Sequence, residues 1–226
     1  MTTKMLSFIL TLSMVLSLSV PAFAAENSTI TLKQSYDTSV TIPERFLNLD
    51  LSQTGYDRNK MSEEEAAFFD YLLNEAVDNH YNTGNKEQFK NDVEAMLKSS
   101  YSSSRSASKY TLNSDAPWWH LNTVEKVGAA IDIVIGGGLS KLGATSIRAL
   151  IKQVGEAEAK KLVKSVIISK VKSTLLRWGM VQGATWVEAY GVKFIFAAID
   201  FSPGLIIAKG IDSIDARPNN GYIEFW

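Results

Sequence analysis

The sequence of 226 residues contains no cysteine and only two histidines, His80 and His120. No disulfide can stabilise the fold, which must therefore hold by packing alone. A cysteine nucleophile, a cysteine-based zinc site and a cage of three histidines are all excluded. The chain also lacks His-Glu-x-x-His and Gly-x-Ser-x-Gly motifs. We therefore expect no catalytic residues, no bound metal and no cofactor.

The first residues have the three parts of an export signal. Lys4 supplies a positive start, Leu6–Val20 is uncharged and apolar, and Pro21 is followed by the small-residue pattern Ala22–Ala24. The apolar stretch is shorter than the ~20 residues of a membrane span, which argues against an uncleaved anchor. We expect residues 1–24 to be a signal peptide, cleaved between Ala24 and Ala25, and the mature protein to be secreted.

Charge divides the remaining chain into two unequal parts. Residues 25–115 carry 9 Lys and Arg against 15 Asp and Glu, whereas residues 116–226 carry 13 against 9. Within Lys126–Arg177 there are 10 basic and 3 acidic residues. This asymmetry predicts an acidic first module and a cationic second module.

The acidic module, residues 25–98, shows two helix patterns. Ser62 and Glu65 form a capping box, and apolar residues at helical spacing follow it as far as His80. A second helix begins near Asn85, and the short connection predicts an antiparallel helical hairpin. An extended arm with period-2 alternation, Ser28–Ile42, precedes the hairpin and predicts one or two strands.

A Ser-rich stretch, residues 99–115, separates the two modules and is predicted to be a linker. The second module, residues 116–226, shows helical periodicity from Val124, and three glycines, Gly136–Gly138, are expected to end this helix. A further helix is predicted over Glu156–Arg177. Ser202-Pro203-Gly204 and Asn219-Asn220-Gly221 are read as turns, and Tyr222–Trp226 as a short strand that could pair with the extended arm. The predicted fold is mainly α, with minor β-strands near both mature termini.

Cationic helices and tryptophans in the second module are typical of membrane-active proteins. Lysine and arginine attract anionic lipid, and tryptophan prefers the headgroup depth. The alternative to membrane contact is an ordinary solvated cationic face over a soluble helical core, which the same residues would also form. Nucleic acid is not expected as a partner of an exported protein. The candidate membrane-contact residues are Trp118, Trp119, Lys141, Arg148, Lys152, Lys160, Lys161, Lys164, Trp178 and Trp186.

The second module, with its Gly-rich segment VGAAIDIVIGGGLSKLGA and its apolar, aromatic final third, resembles large unmodified bacteriocins exported by Gram-positive bacilli. The resemblance covers mainly residues 116–226. It rests on the glycine-rich, apolar and aromatic composition of this region rather than on one motif. It implies killing of related bacteria at the bacterial membrane surface, without an enzymatic site. The target organism and any receptor or immunity protein are left open.

Two other functions stay open at this point. One is a secreted binding or cell-envelope-associated protein without membrane activity, in which the second module is an ordinary soluble core. The other is an enzyme, which would need acidic residues that converge with His120 in a pocket.

Overall fold

The computed structural model describes residues 40–98, 123–197, 199 and 201–223. This part of the chain is mainly helical, as the periodicity predicts. Its 3₁₀ turns are Glu44–Phe46, Leu51–Gln53 and Arg58–Lys60. The α-helices are α1 Glu63–His80, α2 Lys86–Lys98, α3 Val124–Lys141, α4 Ile147–Val154, α5 Glu156–Leu162, α6 Ser169–Arg177, α7 Val181–Ala197 and α8 Pro203–Asp212. The predicted signal peptide and Ser-rich linker, together with Trp118, Trp119 and His120, lie outside the described residues.

Helix α1 begins at the predicted capping box. The Ser62 hydroxyl accepts a hydrogen bond from the Glu65 amide at 3.2 Å, and the Glu65 carboxylate accepts one from the Ser62 amide at 2.8 Å. Two orphan amides at the helix start are thereby satisfied, which confirms the capping prediction. The apolar stripe of α1 ends at His80, whose side chain is fully buried.

Helix α3 corrects the expectation that Gly136–Gly138 end a helix. It runs unbroken through the three glycines to Lys141, and fifteen of its eighteen residues are buried. The glycines permit close packing: a Cβ at Gly136 would lie 2.6 Å from Leu72 Cδ2, and one at Gly138 would lie 2.9 Å from Ile167 Cγ1. Tertiary packing outweighs the weak intrinsic preference of glycine against helix.

Helix α3 is the centre of one core. It contacts α1 and α2 from the first described segment and α6 and α8 from the second. A helix buried on nearly all sides has to be apolar all round, and α3 meets this requirement except at a few positions.

Residues 156–177 form the predicted helical run, with an irregularity in its middle. Val163–Ile168 is π-helical and joins α5 to α6. Lys170, which interrupts the apolar pattern of this run, reaches across to Asp50 at 2.6 Å.

Helix α8 corrects a second expectation, because Ser202-Pro203-Gly204 starts a helix instead of only turning the chain. The Ser202 hydroxyl accepts a hydrogen bond from the Leu205 amide at 2.9 Å, and Pro203 occupies the first turn. Serine as N-cap followed by proline is a regular helix start.

Strand structure is almost absent from the described residues. Tyr222 forms an isolated antiparallel bridge with Thr123. The turn predicted at Asn219-Asn220-Gly221 is present, with positive φ angles at Asn219 and Gly221. The predicted pairing of the tail with residues 28–42 falls mostly outside the described residues.

Candidate functional site: an aromatic surface and a buried polar cluster

The structure places the two described tryptophans among the predicted contact residues in different settings. Trp178 is buried at 4% exposure, and its Nε1 donates a hydrogen bond to the Met96 carbonyl at 2.7 Å. Trp186 is partly buried and lies on α7. Of these two tryptophans, Trp178 is part of the core, and Trp186 has one face at the surface.

The predicted basic residues are exposed, and several of them are paired with carboxylates. Lys160 contacts Glu156 at 2.5 Å and Lys161 contacts Glu158 at 2.9 Å, both within α5. Arg148, Lys152 and Lys164 are exposed on α4 and on the π-helical segment. The structure distributes these cations over several elements and does not gather them into one pocket.

Lys141 forms part of a charge link between the acidic and basic parts of the chain. Its Nζ lies 2.7 Å from Asp50, which also contacts Lys170. Burial alone would raise the pKa of Asp50, but hydrogen bonds from Lys141, Lys170 and Ser52 outweigh it and hold the pKa well below its usual range. Asp92 and Lys126 make a second link at 2.8 Å. Acidic residues of the first segment thus neutralise cations of the second.

An aromatic row runs along one face of α7. It consists of Trp186, Tyr190 and Phe194, spaced four residues apart and therefore on one face of the helix. The Trp186 ring lies 5.8 Å from the Tyr190 ring and 4.9 Å from the Phe194 ring. Tyr190 is 51% exposed, and the other two are partly buried. The neighbouring rings of the row together form an apolar surface that is partly accessible to another molecule.

Helix α8 holds the aromatic row in place from below. Gly210 lies so close to the Trp186 ring that an added Cβ would overlap it. Gly183 of α7 lies similarly close to Ile211, with 3.1 Å from its ideal Cβ to Ile211 Cγ2. Because Gly183 and Gly210 have no side chains, α7 and α8 can approach each other closely at these two contacts. The aromatic rings of α7 lie at the edge of this helix pair.

Exposed apolar side chains concentrate around this helix. Of the seven large hydrophobic side chains most exposed in the described residues, four fall between 176 and 201: Leu176, Val181, Tyr190 and Phe201. Phe196, near the end of α7, also lies 5.5 Å below the Lys160 ammonium, a cation–π contact. A cationic and an apolar side chain therefore meet at this contact.

A buried polar cluster lies under α8 and comprises His80, Asp132 and Ser202. Asp132 Oδ2 lies 2.7 Å from His80 Nε2 and also accepts a hydrogen bond from the Ser202 hydroxyl. Its other oxygen, Oδ1, accepts a hydrogen bond from the Gly204 amide at 2.7 Å. The three residues of the cluster come from segments that are 52 to 122 residues apart in the chain.

The cluster contains the residue types of a serine hydrolase triad but not its geometry. In a triad the carboxylate and the serine contact opposite nitrogens of the imidazole. Here both contact Nε2, and His80 Nδ1 is buried without a partner. The Ser202 hydroxyl also caps α8, and all three side chains are buried. The cluster joins helices and presents no nucleophile to a substrate.

Sequence reasoning missed two members of this cluster. It placed His80 on the packing face of its helix, which is confirmed by the burial of that ring, but it assigned no partner. Asp132 stands alone among apolar residues of α3, and a lone carboxylate on a buried helix needs donors. The Ser202-Pro203 helix start was the signal that a helix end could supply them.

The described residues offer little support for a small-molecule site, a metal site or a membrane span. A cavity of about 140 Å³, lined by residues that include Arg148, Ile135 and Pro203, is smaller than the roughly 300 Å³ at which typical small-molecule sites begin. No group of three or more metal-ligating side chains is placed to hold an ion in the described part of the chain. Among the helices that the structure describes, none combines the length and apolarity needed to cross a bilayer.

Comparison of the chain with protein-family models, with curated proteins and with solved structures finds no match.

Proposed function

We propose that this chain is a secreted antibacterial protein of the bacteriocin type, which acts on the membranes of related bacteria. Residues 1–24 direct its export, and anionic lipid at the bacterial surface is its partner. The observation that carries the proposal is the aromatic row on α7, in which Trp186, Tyr190 and Phe194 lie along one partly exposed helix face.

Aromatic rings with partly exposed faces suit the boundary between lipid headgroups and acyl chains. Tryptophan and tyrosine are enriched at this depth because their rings are apolar and their edges carry one polar group. The exposed cations of α4 and of the π-helical segment, Arg148, Lys152 and Lys164, supply attraction to anionic headgroups. The row therefore anchors the protein, and these cations steer it.

The proposed arrangement assigns different tasks to the two parts of the chain. Asp50 and Asp92 of the first described segment pair with Lys141, Lys170 and Lys126 of the second, and these ion pairs mask part of the cationic charge before membrane contact. Fifteen of the eighteen residues of α3 are buried in the described fold. Its apolar side chains can reach lipid only after the helices around it separate.

Vesicles of defined lipid composition test this function. The purified mature protein should bind and empty dye-loaded vesicles that contain phosphatidylglycerol, and binding should weaken as salt rises because the steering charges are screened. Vesicles of phosphatidylcholine alone should be bound far less. Equal binding to both compositions, or no binding by folded protein at low salt, contradicts the proposal. A saturable protein or glycan partner, found together with inactivity on vesicles, would instead indicate a secreted binding or cell-envelope protein.

Two tyrosines provide a matched comparison for the aromatic row. Tyr190 is 51% exposed within the row, and Tyr222 is 43% exposed at the isolated bridge. Tyr190→Ser should weaken binding to anionic vesicles by about fivefold, since a half-exposed ring contributes about 1 kcal/mol on burial. Tyr222→Ser should leave binding unchanged. If both variants bind like the unaltered protein, the row is not the anchor.

A further inference from the structure

Helix α8 lies across α3 with almost no space between the two backbones. A Cβ added at Gly204 would overlap the Gly128 carbonyl oxygen and would lie 2.7 Å from the Asp132 amide nitrogen. Gly128 in turn packs against the His80 ring, where an added Cβ would lie 2.9 Å from Cε1. The crossing point of α1, α3 and α8 therefore coincides with the buried polar cluster.

The Asp132 carboxylate depends on α8 for two of its three donors. The Ser202 hydroxyl and the Gly204 amide both belong to the start of α8, and His80 belongs to α1. A buried carboxylate is strongly destabilising unless its oxygens are paired. If α8 leaves, Asp132 keeps only His80 as a protein partner, and water has to replace the other two donors. The two hydrogen bonds from α8 to Asp132 therefore form and break together with the seating of this helix.

The same contact is easier to break in water than an apolar contact of equal size. Once α8 detaches, the Asp132 carboxylate and the Ser202 hydroxyl regain hydrogen bonds from water, which apolar groups cannot do. Replacing buried ion pairs with apolar residues often raises stability, and a polar cluster in a core is consistent with a junction that has to open.

Helix α8 also connects this junction to the aromatic row. Its first turn carries Ser202 and Gly204 at the cluster, and its last turn carries Gly210 under the Trp186 ring. Its residues Ile207 and Ala208 are buried, and the helix packs along α3. A shift of Trp186 into a bilayer thus acts on the helix that covers α3.

We infer that α8 is a lid over α3, that His80, Asp132 and Ser202 are its latch, and that α8 detaches from α3 when the aromatic row enters a membrane. This inference rests on the proposed membrane function for its trigger. The lid and its latch, however, are properties of the protein in water and can be measured without lipid.

Two N-cap serines allow a controlled test of the latch. Ser202 caps α8 and bonds to Asp132, whereas Ser146 caps α4 by accepting from the Ala149 amide at 3.1 Å and has no role in the cluster. Ser202→Ala should raise the hydrogen-exchange rate of the α8 amides by about tenfold or more relative to those of α1, because both a cap and a charge-assisted bond are lost. Ser146→Ala should accelerate exchange in α4 alone.

Dye release then connects the lid to its trigger. Ser202→Ala should empty anionic vesicles faster than the unaltered protein does, and Ser146→Ala should not. The latch is refuted if α8 in Ser202→Ala exchanges only together with the whole protein, or if both variants change dye release equally. If even the unaltered protein releases no dye, the proposed function fails, and the exchange result in water still decides whether α8 is a latched lid.

Discussion

Among single residues, three carboxylates that lie wholly or partly inside the fold show how environment sets chemistry. Asp50 and Asp132 are both held by several donors, whereas the Oδ1 of Asp212 is buried without a partner. Burial raises the pKa of Asp212 above its usual range, against a hydrogen bond from the Gly221 amide, and the negative charges of Asp215 and Glu125 raise it further. Ionised Asp212 is therefore a weak point of the folded state at neutral pH.

The substitution Asp212→Asn is expected to stabilise the folded state at neutral pH. Because folding raises the pKa of this carboxyl, its contribution favours the folded state at acidic pH and is lost as pH rises through the raised pKa. The Asn variant, which cannot ionise, should melt about 2–4 °C higher than the unaltered protein at pH 7, corresponding to about 1 kcal/mol. The difference should vanish near pH 3, where both side chains are neutral. A lower melting temperature for the variant at pH 7, measured by circular dichroism, would contradict this account.

Residue-level reasoning from the sequence recovered the Ser62–Glu65 capping box because a cap is local and depends on residues three apart. It could not recover the cluster of His80, Asp132 and Ser202 for the opposite reason. Nothing within one helix shows which distant segment supplies the donors for a buried carboxylate. The lone charge of Asp132 predicts that donors exist but not where they come from.

Among the elements, α3 and α8 show how tertiary packing overrides local preference. Three successive glycines predict a helix end from intrinsic propensity, yet α3 passes through Gly136–Gly138 because neighbouring side chains fill the space beside them. The start of α8 was marked in the sequence by Ser202-Pro203, but the following glycine favoured a turn. Periodicity identified the helices, whereas their partners depended on which small residues permit close approach.

Two glycine substitutions test this element-level view against each other. Gly204→Ala places a Cβ on the Gly128 carbonyl oxygen, a backbone atom that cannot move aside, and should lower stability by about 1–3 kcal/mol. At Gly137 the nearest atom to an added Cβ is Leu51 Cβ at 3.9 Å, an ordinary contact. Gly137→Ala should therefore raise stability by about 0.5–1 kcal/mol, since alanine loses less freedom in a helix. Urea unfolding measures both, and the close-crossing account fails if Gly204→Ala is neutral.

At the scale of the whole molecule, opposite charges and one shared core hold the described segments together. The acidic and basic balances of the two halves predicted complementary parts, and the pairs Asp50–Lys141 and Asp92–Lys126 link them. The core itself is centred on α3, which contacts helices of both segments. Periodicity predicted a helix from Val124, but the helices that surround it could be seen only in three dimensions.

The proposed membrane action needs this core to open, and the absence of cysteine makes a clean lock possible. A Cβ at Gly138 would lie 3.6 Å from Ile167 Cβ, and one at Gly137 would lie 3.9 Å from Leu51 Cβ. Both distances fall within the about 3.5–4.5 Å that a disulfide spans. In Gly138→Cys/Ile167→Cys the Ile167 Cγ1 methylene, which would lie 2.9 Å from the new Cβ, is also removed.

The most direct test is dye release by the Gly138→Cys/Ile167→Cys variant before and after reduction. The oxidised protein should still bind phosphatidylglycerol vesicles through the aromatic row but release little dye, because α3 is fixed to the π-helical segment. Addition of a reductant should restore release, and the reduced variant is its own control for the two substitutions. Equal release by the oxidised and reduced forms would show that α3 need not leave the core and would contradict the account.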